Sequence, residues 1–170
     1  EGFQLILCGR RKERLEELQA DLFVNSVILT FDVSDQPSVI KAFESLPAEW
    51  KNIDVLVNNA GNAHGMSAIQ DGVVADWDAM MASNVTGLLY VSKEVIKGMV
   101  ERKSGHIINL SSIAGKQTYP NGNVYCASKA AVEALSAGMR QDLNAFGIKV
   151  SNVAPGAVAT EFSEVRFKGD

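Results

Sequence analysis

Short apolar runs alternate along this chain with longer stretches in which apolar residues recur every three or four positions. The runs are Phe3 to Leu7, Val27 to Phe31, Ile53 to Val57, His106 to Leu110 and Lys149 to Val153. Each has the length and β-branched content of a buried strand. Between the first two, Lys12 to about Leu22 carries Leu15, Leu18 and Leu22 on one side and charges elsewhere, the pattern of a helix that packs by that stripe. Pro37 suits the first turn of a second helix, which puts Val39, Ile40, Phe43 and Leu46 on one side. A long helical region runs from about Ala75 to Arg102. It is expected to break near Asn84-Val85-Thr86-Gly87, because asparagine and glycine are poor helix formers. A last helix spans about Asn123 to Phe146. Strands that alternate with helices throughout predict an α/β fold, a parallel sheet covered on both faces.

Composition narrows the class without changing that picture. At 170 residues and 46% hydrophobic, the sequence reads as a single domain, 1–170, with ample material for a core. A net charge of −4 and a pI near 5.2 argue against a nucleic-acid partner. No apolar run approaches the roughly 18 residues of a membrane span, and no signal-peptide pattern opens the sequence. Cys8 and Cys126 lack CxxC spacing, which fits a reduced, cytoplasmic protein. Two histidines without an HExxH motif or a Cys/His cluster leave no metal site to expect.

The chemistry gathers in Asn109 to Lys129, NLSSIAGKQTYPNGNVYCASK. It leaves a strand, passes two serines and a Gly/Pro/Asn-rich loop, and enters a strongly helix-forming segment at Tyr125. Tyr125 and Lys129 are four residues apart, so a helix places them on one face, about 6 Å apart along its axis. An unperturbed tyrosine has a pKa of roughly 10 and is a reluctant base near neutrality. A fixed ammonium beside it favours the phenolate and moves it toward the range useful for acid–base catalysis. Ser112 precedes Tyr125 by 13 residues, enough loop to bring its hydroxyl beside the phenol. It also follows a parallel strand, where open α/β sheets bind ligands. YxxxK by itself would read as two residues that share a helix face by chance.

Ser112, Tyr125-Cys126-Ala127-Ser128-Lys129 and the upstream Asn58-Asn59-Ala60-Gly61 together resemble the short-chain dehydrogenase/reductase family, over nearly the whole chain. Leu46-Pro47-Ala48-Glu49-Trp50, Gly98 to Arg102, Gly105 to Asn109, and Glu161 to Asp170 are similar to one branch, the NADP-dependent serine and 3-hydroxy acid dehydrogenases, also described as malonic semialdehyde reductases. The resemblance implies a Rossmann-type doubly wound sheet, a bound dinucleotide, a small-molecule substrate and a homotetramer that uses the two long helices as interfaces. It also implies a strand, glycine-rich turn and helix ahead of Phe3 that hold the pyrophosphate. No such turn precedes Phe3, and Gly61-Asn62-Ala63-His64-Gly65 is neither the pattern nor the place. With strand order 3-2-1-4-5-6 the absent strand is the central one, so the first two strands here are expected to have no neighbour joining them to the third. The sequence therefore reads as lacking the first βα unit and the C-terminal end.

By the same resemblance Asn84, Ser112, Tyr125 and Lys129 are the catalytic set. Ser112 is preferred to Ser111 by its spacing to Tyr125, and Ser111 should face the opposite side because adjacent extended residues alternate. Ser112 and Tyr125 would hold the substrate oxygen, Lys129 would bind the nicotinamide ribose, and Asn84 would hold a water that links Lys129 to solvent. Arg10 and Arg11 follow a strand where NAD enzymes carry an acidic residue; two guanidinium groups suit a 2′-phosphate, which favours NADP over NAD. Their other reading is solvated residues that open a helix, despite the dipole. Asp32 and Val33 match positions that hold the adenine, although an aspartate there could equally cap the following turn. Asn59, Ala60 and Gly61 match the turn that lets backbone approach the ribose, while Asn58 and Asn59 could instead bond local backbone. Pro155, Gly156, Val158 and Thr160 resemble the turn that meets the nicotinamide carboxamide, or else form an ordinary Pro-Gly turn.

The implied reaction is hydride transfer between NADP(H) and a small 3-hydroxy acid such as serine, allo-threonine or 3-hydroxypropionate. A general carbonyl or 3-oxoacyl reductase is the rival enzyme. A non-catalytic nucleotide-binding regulatory protein is the rival of another class, and its mark would be loss of Tyr125, Lys129 or Ser112, all of which are present.

Overall fold

The structure, a computed structural model, describes residues 2–158. Five strands alternate with five α-helices: β1 (Leu5–Gly9), α1 (Lys12–Asp21), β2 (Ser26–Thr30), α2 (Gln36–Glu44), β3 (Val55–Asn58), α3 (Val74–Met81), α4 (Leu88–Arg102), β4 (Gly105–Leu110), α5 (Asn123–Leu143) and β5 (Ile148–Val153). Every pairing is parallel, so each connection must cross over a sheet face, and a helix does so. The strands form two groups, β1-β2 and β3-β4-β5. β1 makes no ladder with β3, the gap expected from the strand order. At that gap the Val55 and Val57 side chains are 41% and 53% exposed, unusual for β-branched residues in a parallel sheet.

Local signals set most boundaries. Pro37 lies in the first turn of α2, where its missing N–H has no helical bond to make. Lys103 ends α4 in the left-handed conformation with φ 53°. Gly147, at φ 70°, turns the chain from α5 into β5. Any side chain there would be strained by that φ and would press on the Lys103 carbonyl at 3.0 Å. The expected break in the long helical region is a π-helical turn, Ala82–Gly87, which keeps α3 and α4 continuous.

The Leu15–Leu18–Leu22 stripe is partly covered: Leu15 and Leu22 are half-buried, Leu15 beside Gly9 of β1, whereas Leu18 is 47% exposed and no residue of α1 is fully buried.

The main core lies where α2 and α4 cover the strands. Val39, Val95, Met99, Ile107 and Val150 belong to it, and Val39, Met99 and Ile107 are fully buried. Each such side chain contributes about 1.5–3 kcal/mol through burial. Through the same interior runs a polar thread. Asn58 Nδ2 donates to Ser92 Oγ and to Asn109 Oδ1, each at 2.9 Å, and Asn109 Nδ2 donates to Ser136 Oγ at 2.9 Å. It joins β3, α4, β4 and α5, and both amide hydrogens of Asn58 are used. Asn58 thus takes the internal bonding role, whereas Asn59 is exposed.

Candidate active site

The C-terminal ends of β3, β4 and β5 and the start of α5 converge on Tyr125 and Lys129. Both face inward from α5, 9% and 7% exposed. The Lys129 ammonium stands 5.9 Å from the Tyr125 ring centroid and donates to the Leu110 carbonyl at the end of β4, 3.0 Å away. Burial pushes its pKa below the ordinary lysine value of 10.5. Gly61, leaving β3, comes so close that a Cβ there would lie 3.1 Å from Asn84 Oδ1 and 3.5 Å from Lys129 Nζ. A side chain at 61 would occupy the space over both groups.

Asn84 sits in the π-helical turn, 1% exposed. Its Oδ1 accepts the Asn62 amide N–H at 2.7 Å. Its Nδ2 donates to the Asn62 carbonyl at 2.8 Å and to Ser128 Oγ at 3.0 Å. Both amide hydrogens are therefore committed to protein, and a water could bond this side chain only through the remaining Oδ1 lone pair. The π turn is kept open for packing as well. A Cβ on Gly87 would meet Val33 Cγ2 at 2.9 Å, so glycine lets the segment after β2 seat against the turn.

Ser112 leaves β4 in an extended conformation and its Oγ accepts the Ala114 N–H at 3.1 Å, capping the single 3₁₀ turn Ile113–Gly115. Ala114 of that turn shares a small buried cluster with Tyr125, Cys126, Ala63 and Met80. The Pro155 segment is zipped to the same turn. Ser111 N–H donates to the Val153 carbonyl at 2.8 Å and Ile113 N–H to the Pro155 carbonyl at 3.0 Å. Pro155, Gly156 and Val158 thus follow β5 beside Ser112; Thr160 lies outside the described residues, as do Glu161 to Asp170.

On the far side of the sheet gap, Arg10 and Arg11 lie between β1 and α1, both exposed. Arg10 Nη1 meets Asp32 Oδ2 at 3.4 Å. Asp32 Oδ1 accepts the Ser34 amide at 2.9 Å and the Ser34 hydroxyl at 2.6 Å. Asp32 thus forms the turn that follows β2 through Ser34. Partial burial raises its pKa, but the Ser34 bonds and the Arg10 charge together outweigh this and hold it below the ordinary value of 3.8.

Two neighbours of the site, Ser128 and Asn62, were not singled out by sequence, and Ser111 was set aside in favour of Ser112. Ser128 bridges Asn84 to the Tyr125 carbonyl, to which it donates at 2.8 Å. Ser111 donates to the Lys129 carbonyl at 3.0 Å. Asn62 supplies the backbone that Asn84 holds, and its own Oδ1 is buried without a partner among the described residues. A small polar residue in an otherwise apolar helix stretch was the available signal for Ser128; Asn62 gave none. The unpaired Asn62 acceptor fits a bound dinucleotide at this edge.

Comparison with known proteins agrees with this geometry. The short chain dehydrogenase family matches residues 1–170. The NADP-dependent 3-hydroxy acid dehydrogenase YdfG of Escherichia coli strain K12 is 48% identical over 171 residues, covering 100% of this chain and 69% of that protein. Serine 3-dehydrogenase of Rhizobium radiobacter is 42% identical over 170 residues, covering 100% and 68%. Among solved structures, the closed form of serine dehydrogenase complexed with NADP+ superposes with a TM-score of 0.96 at 48% identity, covering 99% of this chain and 68% of that one. This chain belongs to the short chain dehydrogenase family.

Proposed function

We propose that this chain is a single dinucleotide-binding domain of a cytoplasmic enzyme that transfers a hydride between NADP(H) and a small 3-hydroxy acid, with serine the leading substrate. The observation that carries this is the buried Tyr125–Lys129 pair, with Nζ 5.9 Å from the ring and backbone of the Gly61 turn close above it. A bound nicotinamide would supply the hydride acceptor or donor. Tyr125 takes the proton from the substrate hydroxyl as the carbonyl forms, or returns it in the reverse direction. Lys129 stabilises the phenolate by charge, and Ser112 holds the substrate oxygen. Asn84 fixes the Asn62 backbone and through it the turn above Lys129. Arg10 and Arg11 would pair with the 2′-phosphate, Arg10 by exchanging its exposed contact with Asp32 for a stronger anion. Asp32, Val33, Asn59, Ala60 and the Pro155–Gly156–Val158–Thr160 segment complete the proposed cofactor contacts.

Tyr125 also lines a small cavity with His64, Asp76, Trp77 and Asn123. Its described walls carry one carboxylate, Asp76, and no lysine or arginine. No helix among the described residues is long and apolar enough to cross a membrane, in keeping with a cytoplasmic setting.

Steady-state rates with L-serine, 3-hydroxypropionate and a 3-oxoacyl thioester, each with NADP(H) and NAD(H), test the reading. Turnover of L-serine at least tenfold better with NADP+ than NAD+ is expected; activity on the thioester alone would reject the branch. The intact protein is proposed to be a homotetramer on the strength of the family resemblance, and a monomer in sedimentation equilibrium would refute it.

A further inference from the structure

We propose that Ser111 and Gly115 form a positioning clamp on Lys129 that sets where the ammonium and the Tyr125 phenol stand relative to Ser112. The proposal rests on the reading of Tyr125 and Lys129 as the proton-transfer pair. Two adjacent residues at the end of β4 grip one residue of α5 at both of its ends: the Leu110 carbonyl accepts Lys129 Nζ at 3.0 Å, and Ser111 Oγ donates to the Lys129 carbonyl at 3.0 Å. Gly115 closes the clamp from the other side. A Cβ at that position would fall 2.7 Å from the Lys129 carbonyl oxygen and 2.9 Å from Ser111 Oγ, with backbone as the obstacle. Only glycine lets the 3₁₀ turn rest there, and Ser112 is the residue that caps that turn.

The reason to assign this contact to placement is its location. The Lys129 carbonyl lies in the interior of a 21-residue helix, where the helix ladder already provides it a donor. A second donor adds little to helix formation. It instead ties α5 to β4 at the residue next to Ser112 and one helical turn beyond Tyr125. Ser111 is 5% exposed and its hydroxyl is committed to the Lys129 carbonyl, so it acts through Lys129 and not on substrate.

Ser111→Ala in the intact enzyme is expected to lower kcat with L-serine about tenfold, since small misplacements of reacting groups carry large rate costs. The acidic limb of the kcat/KM profile should move to higher pH, because a less firmly placed ammonium stabilises the phenolate less. Ser111→Thr, which keeps the hydroxyl, should restore both. Gly115→Ala, which pushes the turn off the same carbonyl without removing a hydroxyl, should shift the limb as Ser111→Ala does. A merely structural hydroxyl would lower Tm and leave kcat and the pH profile of the folded enzyme unchanged. That outcome in Ser111→Ala overturns the clamp, as does a parent-like profile in Gly115→Ala should Ser111→Ala not fold. The parent is assayed first: no turnover there overturns the functional reading and the clamp with it, whereas an active parent beside an unaltered variant overturns the clamp alone.

Discussion

Tyr125→Phe should reduce kcat for L-serine oxidation by about 10²–10⁴-fold, the range a positioned acid–base group contributes, while the Kd for NADP+ moves by less than about threefold. The phenol is the group proposed to receive the substrate proton, and phenylalanine keeps the ring that packs with Ala114, Cys126 and Met80. Cluster and helix should therefore survive the change. Stopped-flow turnover with cofactor titration by fluorescence measures both quantities. A variant with near-parental kcat would remove the chemistry from Tyr125, and with it the central claim about this site.

Lys129→Met should have the second-largest effect, a loss of roughly 10²–10³-fold in kcat, as expected for removing a preorganised charge from a largely dry site. It carries an independent signature in stability. Burial holds the Lys129 pKa below 10.5, so the folded chain binds that proton less tightly than the unfolded chain. Between the folded value and 10.5 the unfolded state holds more protons, and stability contributed by this group rises with pH. Methionine has no proton to lose. Below the folded value the Tm curves of parent and variant should run parallel; in the alkaline window ending at 10.5 the parent should gain on the variant. Curves parallel throughout would mean that Lys129 is not titrating from a buried position. The offset between the curves reflects other terms, including the Leu110 carbonyl that loses its donor.

These expectations draw on contacts of very different legibility. The pairing of Tyr125 with Lys129 follows from spacing within one helix, because 3.6 residues per turn brings i and i+4 onto one face wherever the helix lies. The interruption at Asn84 followed from residue type in the same local way. Its form did not: a π turn, with both amide hydrogens spent on Asn62 and Ser128, depends on partners 22 and 44 residues away. Asp32 bonds locally instead, to Ser34 two residues on, a contact that short polar side chains readily make.

The Leu15–Leu18–Leu22 stripe marks the limit of periodicity. It predicted a helix, and Lys12–Asp21 is one, but its stripe is covered only at Leu15 and Leu22 and not at Leu18. Amphipathicity reports that a helix could pack, while burial requires a surface to pack on. The same holds for Ser111 and Ser112. Alternation along an extended chain separates their faces, but only the arrival of α5 makes one a donor to the Lys129 carbonyl and leaves the other to cap a turn beside Tyr125.

By itself, the order of residues determined the alternation of strand and helix, the parallel sense of the sheet, the position of the helix break and the composition of the chemical group. All of these follow from periods and propensities that act within a few residues. Tertiary structure decided that Asn58 threads four elements together and that Lys129 is gripped at both ends. The physical reason is that hydrogen bonds across tens of residues and the burial of a helix face depend on which surfaces meet, and no period along the chain encodes that meeting.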